Sequence, residues 1–241
     1  MKDILITLCA RGGSKGIPGK NIKLLNGRPL IDYSIKFAKT LGSEFNIHVE
    51  LSTDDLEIKN ISNACGLNSD YLRPAFLSTD SAGKVDAIKD LLQFAENKHN
   101  KKFDYVLDLD ITSPLRTIED IQNAFSIIEE DPEALTLFSV SAAHKNPYFN
   151  MVEQNKEGYF ELSKKRDETT LSRQSAPKVY ELNASFYFYR REFFDLELNG
   201  VITDHSLIYP MDHICFDLDH LIDFEFMDYL LKNGKISFLK F

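Results

Sequence analysis

The feature that most constrains this chain is an unbroken apolar run, Ile4 to Leu8, that breaks directly into Cys9-Ala10-Arg11-Gly12-Gly13-Ser14-Lys15-Gly16-Ile17-Pro18-Gly19-Lys20-Asn21. The run is too short for anything but a buried strand. The thirteen residues that follow carry four glycines, one proline and three cations, with no acid. Glycine lets the backbone approach an anion closely, and successive N–H groups form an anion-binding concavity. A buried strand feeding such a loop predicts a phosphate-handling α/β fold. Neither common phosphate signature fits. A Walker loop needs Gly-x-x-x-x-Gly-Lys-Ser/Thr, but Ser14 stands where the first Gly belongs and Asn21 replaces the metal-binding hydroxyl. The pattern Gly-x-Gly-x-x-Gly fails because Ser14 follows Gly12-Gly13. An ordinary glycine turn with solvated charges is the plain alternative, and the interleaving of glycines and cations directly after a buried strand argues against it.

The rest of the chain keeps an α/β rhythm. Asn26-Gly27 marks a turn, and Pro29 suits a first helical position before a stripe of Ile31, Ser34, Ile35, Ala38 and Leu41 that ends at Gly42. A strand at Ile47–Leu51 leads to Ser52-Thr53-Asp54-Asp55, a cap for a helix that stops at Gly66. A polar loop, Ser78–Lys84, precedes a helix from Val85 to about Lys98. Tyr105–Asp110 reads as a central strand ending in an acid, and Thr117 with Asp120 as a capping box. Leu135–Val140 and Ser185–Tyr189 are further strands, and Ile214–Asp219 a short one. A closing helix spans Leu221–Leu231, its aromatics assigned to the core, and Ile236–Leu239 would make a final edge strand. Strand, helix, strand, helix is the pattern of a mostly parallel sheet with crossovers. Only residues 142–179 break it, being polar, charged and dotted with Tyr148, Phe149, Tyr159 and Phe160. They read as a dimerisation arm inserted in a single domain spanning 1–241.

Composition bounds the partners. A net charge of −9 argues against nucleic acid, so the loop's cations point to a small anionic ligand. The cysteines Cys9, Cys65 and Cys215 lack Cys-x-x-Cys spacing and read as buried thiols in a reducing cytoplasm. No stretch approaches the length of a membrane helix, so no membrane partner is expected. The six histidines show no metal-ligand spacing, and Ser113 and Ser175 have no evident base partner.

Three acids stand where expected strands end: Asp110, Asp217 and Asp219, the last two on one face across Leu218. Carboxylates of this kind suit Mg²⁺, which takes one or two of them and fills its shell with water and substrate phosphate. Capping or solvated acids are the bland reading of each alone.

The opening loop, with Leu72-Arg73-Pro74, Thr112-Ser113-Pro114-Leu115-Arg116, Arg173-Gln174, Asn183-x-x-x-Tyr187 and Asp217-x-Asp219, resembles the CMP-sialic acid synthetases, block by block and in that family's order. The resemblance implies a Rossmann-like three-layer α/β sandwich with a protruding arm, and a homodimer. It implies CTP and a nonulosonic acid as substrates, and Mg²⁺ (with Mn²⁺ as its substitute) as cofactor. Arg11, Lys15, Lys20 and Asn21 would hold the CTP phosphates and ribose side, and Arg73 the cytosine region. Ala10, Gly12, Lys84, Thr112, Gln174 and Asn183 would complete the substrate contacts, with Arg173 facing the sugar. Asp217 and Asp219 would bind the metal, and Arg11, Lys20 and Asp219 would carry catalysis. Asp110-Ile111 replaces the usual Gln-Pro and looks more like the CMP-Kdo synthetases, so Asp110 joins the metal ligands. Lys84 stands where a small hydroxyl residue is common. The segment Asn146–Met151 resembles the version in synthetases for legionaminic acid. The implied reaction is attack of the sugar's anomeric hydroxyl on the α-phosphorus of CTP, giving CMP-sugar and pyrophosphate. Rivals are a CMP-Kdo type enzyme, a nucleotidylyltransferase for an aldose 1-phosphate, and a non-catalytic nucleotide-sugar binder.

Overall fold

The computed structural model describes residues 2–13, 16–166, 172–196, 198 and 200–239. The first apolar run is the heart of β1 (Asp3–Cys9). Next come β2 (Leu24–Leu25) and β3 (Arg28–Pro29), a hairpin turning at Asn26-Gly27, where both residues have positive φ. Pro29 is the N-cap, not the first residue, of α1 (Leu30–Thr40). β4 (Asn46–Ser52) leads to Asp55, whose carboxylate accepts from the N–H groups of Glu57 and Ile58 and starts α2 (Leu56–Ala64). Then follow α3 (Lys84–His99), β5 (Tyr105–Leu109) and α4 (Ile118–Glu130), the last opened by the expected Thr117–Asp120 capping box. β6 (Thr136–Ala142), β7 (Val152–Gln154), β8 (Phe160–Leu162), β9 (Tyr180–Arg190), β10 (Ser206–Pro210) and α5 (Leu221–Lys232) complete the order.

The main sheet runs β10-β6-β9-β5-β1-β4. β1 pairs in parallel with β4 and β5, and β10 with β6, whereas β9 is antiparallel to both its neighbours. Side-chain alternation divides the core into two layers. Ile4, Ile6, Leu8, Leu107 and Phe188 face one cluster with α1, α2, α4 and α5. Leu5, Val106 and Tyr189 face the other, with Ile88, Leu92 and Ala95 of α3. The protein is thus a three-layer α/β sandwich. No helix among the described residues is long and apolar enough to cross a membrane.

Four further expectations are corrected. Ile214–Asp219 is not a strand: it runs irregularly past the sheet, Leu218 N–H donating to Thr112 C=O at 2.9 Å, and the strand of that region is β10. Its alternation of apolar and acidic residues imitates a strand without a neighbour to pair with. Ile236–Leu239 also forms no strand. On α5, Phe224 is buried but Phe226 and Tyr229 are exposed, because the helix covers the sheet with one stripe only. β9 begins at Tyr180, five residues before the expected start, and its pairing with β6 shifts near Ala184, which adopts φ +60°.

Within 142–179, β7 and β8 pair antiparallel with each other and not with the main sheet. Met151, Val152, Tyr159 and Phe160 are exposed there.

Candidate active site

The carboxyl ends of β1, β4 and β5 open on a cleft of about 470 Å³. Its walls come from the glycine loop, the Thr79–Lys84 turn and the exit of β5, the position where open α/β sheets bind ligands. Arg11, Lys20, Asn21, Arg73, Lys84, Asp110, Thr112 and Asp219 of the expected set all line it. Residues 73–84 reach these from the opposite wall of the same cleft, which no local spacing reveals.

Each of these side chains is held by a stated partner. Arg11 Nη1 donates to Thr79 C=O at 3.2 Å and pairs with Asp80 at 2.9 Å. That pair is partly exposed on both sides, so it contributes about 0–1 kcal/mol and a triphosphate can displace the acid. Asn21 is buried and donates to Arg11 C=O at 3.0 Å, which fixes the curl of the loop. Arg73 lies across the end of β4, donating to the Ser52 hydroxyl and carbonyl at 2.8 Å each. Lys20 Nζ stands 3.5 Å from Asp219. The glycines are there for close approach. A side chain on Gly16 would meet the Asp219 carbonyl oxygen at 2.4 Å, and one on Gly12 would meet the Asp55 carboxylate at 2.5 Å.

The floor of the cleft carries a charge cluster built by strand alternation. Thr7, Cys9, Asp108 and Tyr187 share the α3 face of the sheet, and Lys84 is the first residue of α3. Its ammonium lies 2.7 Å from a carboxylate oxygen of Asp108 and 2.7 Å from one of Asp110. The Asp108 contact is an ion pair; the other oxygen of Asp108 accepts from the Thr7 hydroxyl at 2.7 Å. The second oxygen of Asp110 accepts from the N–H and hydroxyl of Thr112, both at 2.8 Å. Burial would raise the Asp110 carboxyl, but Lys84 and the Thr112 donors outweigh it and hold it at about 2. Burial would lower Lys84, and Asp108 with Asp110 instead hold it well above the usual lysine value. Burial and the neighbouring Asp108 push the Cys9 thiol up to about 12, so it is inert.

Asp217 is the opposite case. Its Oδ1 is buried without a hydrogen-bond partner, and burial, then Asp110 and Asp219, raise its carboxyl above the usual 3.8. Unbalanced negative charge at a buried oxygen beside a second carboxylate suits a divalent cation held by two carboxylates, water and phosphate. Among the described residues no group of three or more potential ligands is gathered tightly enough to cage a metal. Asp110, expected as a third ligand, has both oxygens engaged within the protein.

Under the cleft, Arg116 is 1 % exposed and acts as a clamp. It donates to Ser185 C=O at 2.9 Å, Ser113 C=O at 3.1 Å, the Ser34 hydroxyl at 3.2 Å and the Asp110 carbonyl. Burial lowers its pKa to about 10, against the pull of Asp110. This is the structural reason for the Thr112–Arg116 block. Asn183 is likewise buried, bonded to Ser139 at 2.6 Å and Ser141 at 3.1 Å, and does not line the cleft. Ala10 is fully buried, and Gly12 donates to Asp54 at 3.1 Å beside the cleft. Lys15 lies outside the described residues. Arg173 and Gln174 belong to a short turn in the arm, of which Gln174 is exposed.

Sequence reasoning missed Asp108 and the wall residues Thr79 and Asp80. A charged residue in the middle of an otherwise apolar strand was the available signal for Asp108. His213 is a satisfied polar side chain as expected, bonded to Asp120 at 2.9 Å and to Ile214 C=O at 3.0 Å.

A cytidylyltransferase family profile matches residues 5–236. The chain is 37 % identical over 238 residues to a post-translational flagellin modification protein B of Campylobacter coli, covering 98 % of each chain. It is 36 % identical over 239 residues to a CMP-N,N'-diacetyllegionaminic acid synthase of Campylobacter jejuni, again over 98 % of each. Its fold is that of a CMP:2-keto-3-deoxy-manno-octonic acid synthetase solved with CTP, at TM-score 0.70 and 16 % identity, covering 96 % of this chain and 99 % of the other.

Proposed function

The chain belongs to the cytidylyltransferase family, and we propose that it transfers CMP from CTP to a 3-deoxy-nonulosonic acid of the legionaminic type, releasing pyrophosphate. The observation that carries this reading is the convergence of Arg11, Lys20, Arg73 and Asp219 on one cleft, in a chain that matches a legionaminic acid synthase from end to end.

The anomeric hydroxyl attacks the α-phosphorus in line. A phosphorus–oxygen bond forms as the bond to the bridging oxygen of pyrophosphate breaks. Arg11, drawn from Asp80 to the phosphates, and Lys20 neutralise charge that develops on the phosphoryl oxygens, in a cleft where preorganised donors act strongly. Asp219 takes the hydroxyl proton, directly or through water. No covalent enzyme intermediate is needed, and the raised Cys9 thiol offers no nucleophile. Arg73 borders the cytosine end. Asp217 and Asp219 would hold Mg²⁺, or Mn²⁺ in its place; when bound, the ion screens the triphosphate and orients the α-phosphoryl group.

The exposed Met151, Val152, Tyr159 and Phe160 support reading the arm as a homodimer surface, and the reading assigns recognition of the sugar carboxylate to Arg173 and Gln174. The reading makes this a cytoplasmic enzyme. Sedimentation checks the dimer, which a fully active monomer would overturn. For the reaction, purified protein with CTP and Mg²⁺ is given a panel of nonulosonic acids, Kdo and aldose 1-phosphates, and pyrophosphate is followed. Release is expected fastest with N,N'-diacetyllegionaminic acid. Release with Kdo or an aldose 1-phosphate alone would move the enzyme to that class, and none with any sugar would leave a binder.

A further inference from the structure

The cluster on the cleft floor carries an inference that rests on the cleft being the CTP site. Three of the four carboxylate oxygens of Asp108 and Asp110 are hydrogen-bonded within the protein, and the fourth, Asp108 Oδ2, lacks a hydrogen bond and is held by the Lys84 ammonium as an ion pair. Thr7 and Thr112 take one oxygen of each, and the Lys84 ammonium takes the other two at 2.7 Å. The Tyr187 ring, 5.3 Å from the same ammonium, adds a further attraction to a cation at that point. Two carboxylates sharing one cation at short range is the arrangement that a divalent ion would otherwise occupy. Here the cation is covalently part of the chain, on the first residue of α3.

We propose that Lys84 is the cleft's tethered cation: it occupies Asp108 and Asp110 so that neither ligates metal, and the divalent ion falls to Asp217 and Asp219. The contrast between the acids supports this. Asp217 Oδ1 is buried with neither a hydrogen bond nor a described ion pair, whereas Asp108 Oδ2, which also lacks a hydrogen bond, has Lys84 at 2.7 Å; Asp219 meets only Lys20, at 3.5 Å, among the described ion pairs. The cleft therefore uses one divalent ion and one fixed ammonium. Lys84 is a positioning residue in this scheme. It holds Asp110 against Thr112, whose carbonyl in turn accepts from Leu218 and sets the height of the metal-binding acids.

The test needs no sugar and no turnover. Mn²⁺ alone is titrated into the purified full chain, and free Mn²⁺ is read by electron paramagnetic resonance. In Lys84→Met the stoichiometry is expected to rise by one Mn²⁺ per chain, because Asp108 and Asp110 are released to share an ion. Asp110→Asn, which keeps the Lys84–Asp108 pair and so a second route to the answer if Lys84→Met does not fold, is expected to leave Mn²⁺ affinity within about threefold of wild type. Asp217→Asn should weaken it about tenfold or more. Unchanged stoichiometry in folded Lys84→Met would overturn the assignment. So would an Asp110→Asn loss as large as that of Asp217→Asn. A protein that shows this Mn²⁺ pattern yet activates no nonulosonic acid would retain the Lys84 assignment while losing the proposed reaction.

Discussion

Asp108-Leu109-Asp110 and Asp217-Leu218-Asp219 are the same tripeptide in two settings, and they meet at Thr112. The first copy leaves the end of a central strand. Its leucine is buried and its carboxylates are engaged by Thr7 and Thr112 through hydrogen bonds and by Lys84 at 2.7 Å from each. The second copy lies in irregular chain tied down through the Leu218 amide, with one carboxylate oxygen orphaned and the other acid largely in solvent. Identical local chemistry thus yields one acid pair closed off within the protein and one left open, to which the proposed function gives the reactive role. The difference lies in how closely a distant cation is brought: Lys84 lies 2.7 Å from both acids of the first copy, whereas Lys20 stands 3.5 Å from Asp219 and none of the described ion pairs reaches Asp217.

The largest effect should come from neutralising the second copy. Asp219→Asn is expected to lower kcat by about 10²–10³, the scale of losing one preorganised electrostatic group, while Tm stays within about 2 °C because the carboxylate is 65 % exposed. Pyrophosphate release at saturating Mg²⁺, with a thermal melt alongside, measures both; wild-type turnover would remove the contrast. The first copy should answer in stability. Asp108→Ala leaves the buried Thr7 hydroxyl without its acceptor and should cost about 2 kcal/mol, or roughly 6 °C in Tm. A melt unchanged from wild type would show that the pair is not structural.

A smaller effect should follow from moving the second copy without changing its charge. Gly16→Ala drives a methyl into the Asp219 carbonyl, so kcat should fall about tenfold by misplacement, leaving the Lys84 cluster and its melt unchanged. Retained turnover would mean that the loop does not set the position of Asp219.

The smallest effect concerns the segment that leads into the second copy. His213 pairs with Asp120, and although its own burial opposes it, that pairing raises the imidazole above its usual 6.5. A raised histidine stabilises fully below pH 6.5 and loses that contribution as pH rises through the folded value. Asp120, lowered below 3.8 by His213 and the Thr117 donors despite burial, contributes above that pH and loses its effect as acid protonates it. The wild-type Tm should therefore drop more between pH 6 and 8 than that of His213→Gln, by about 2 °C. Parallel pH profiles would dissociate the histidine from this anchor.

The contrast also explains what could be read in advance. β1, α1, α2, α3 and α4 follow from apolar period, Asp55, Gly66 and the Thr117–Asp120 box, because those signals are local. The glycine loop, which lines the cleft, stood out for the same reason. The Lys84–Asp108–Asp110 cluster was illegible: Lys84 sits 26 residues from Asp110, and only the crossover from α3 to β5 brings them together. Ile214–Asp219 was misread as a strand because alternation shows a pattern of faces and says nothing of a pairing neighbour. The early start of β9 was hidden by Ala184, whose left-handed backbone interrupts the alternation and costs about 1 kcal/mol or more for a residue with a Cβ. That kink turns the Asn183 and Ser185 carbonyls to Ser113 and Arg116.

The place of β9 in the sheet bears on how the chain is made. β5 emerges from the ribosome with one edge on β1, while its other neighbour is separated by roughly 70 residues of later sequence. At about 5–20 residues per second, that hydrophobic edge waits some 4–14 s for its partner. Arg116 and the Thr112 turn wait with it, since Ser185 supplies their acceptors. The cleft therefore closes only after β9 has been made, although the glycine loop that lines it long precedes β9 in the chain. Chains ending before Tyr180 should aggregate through that bare edge, and light scattering against the full-length protein would register it.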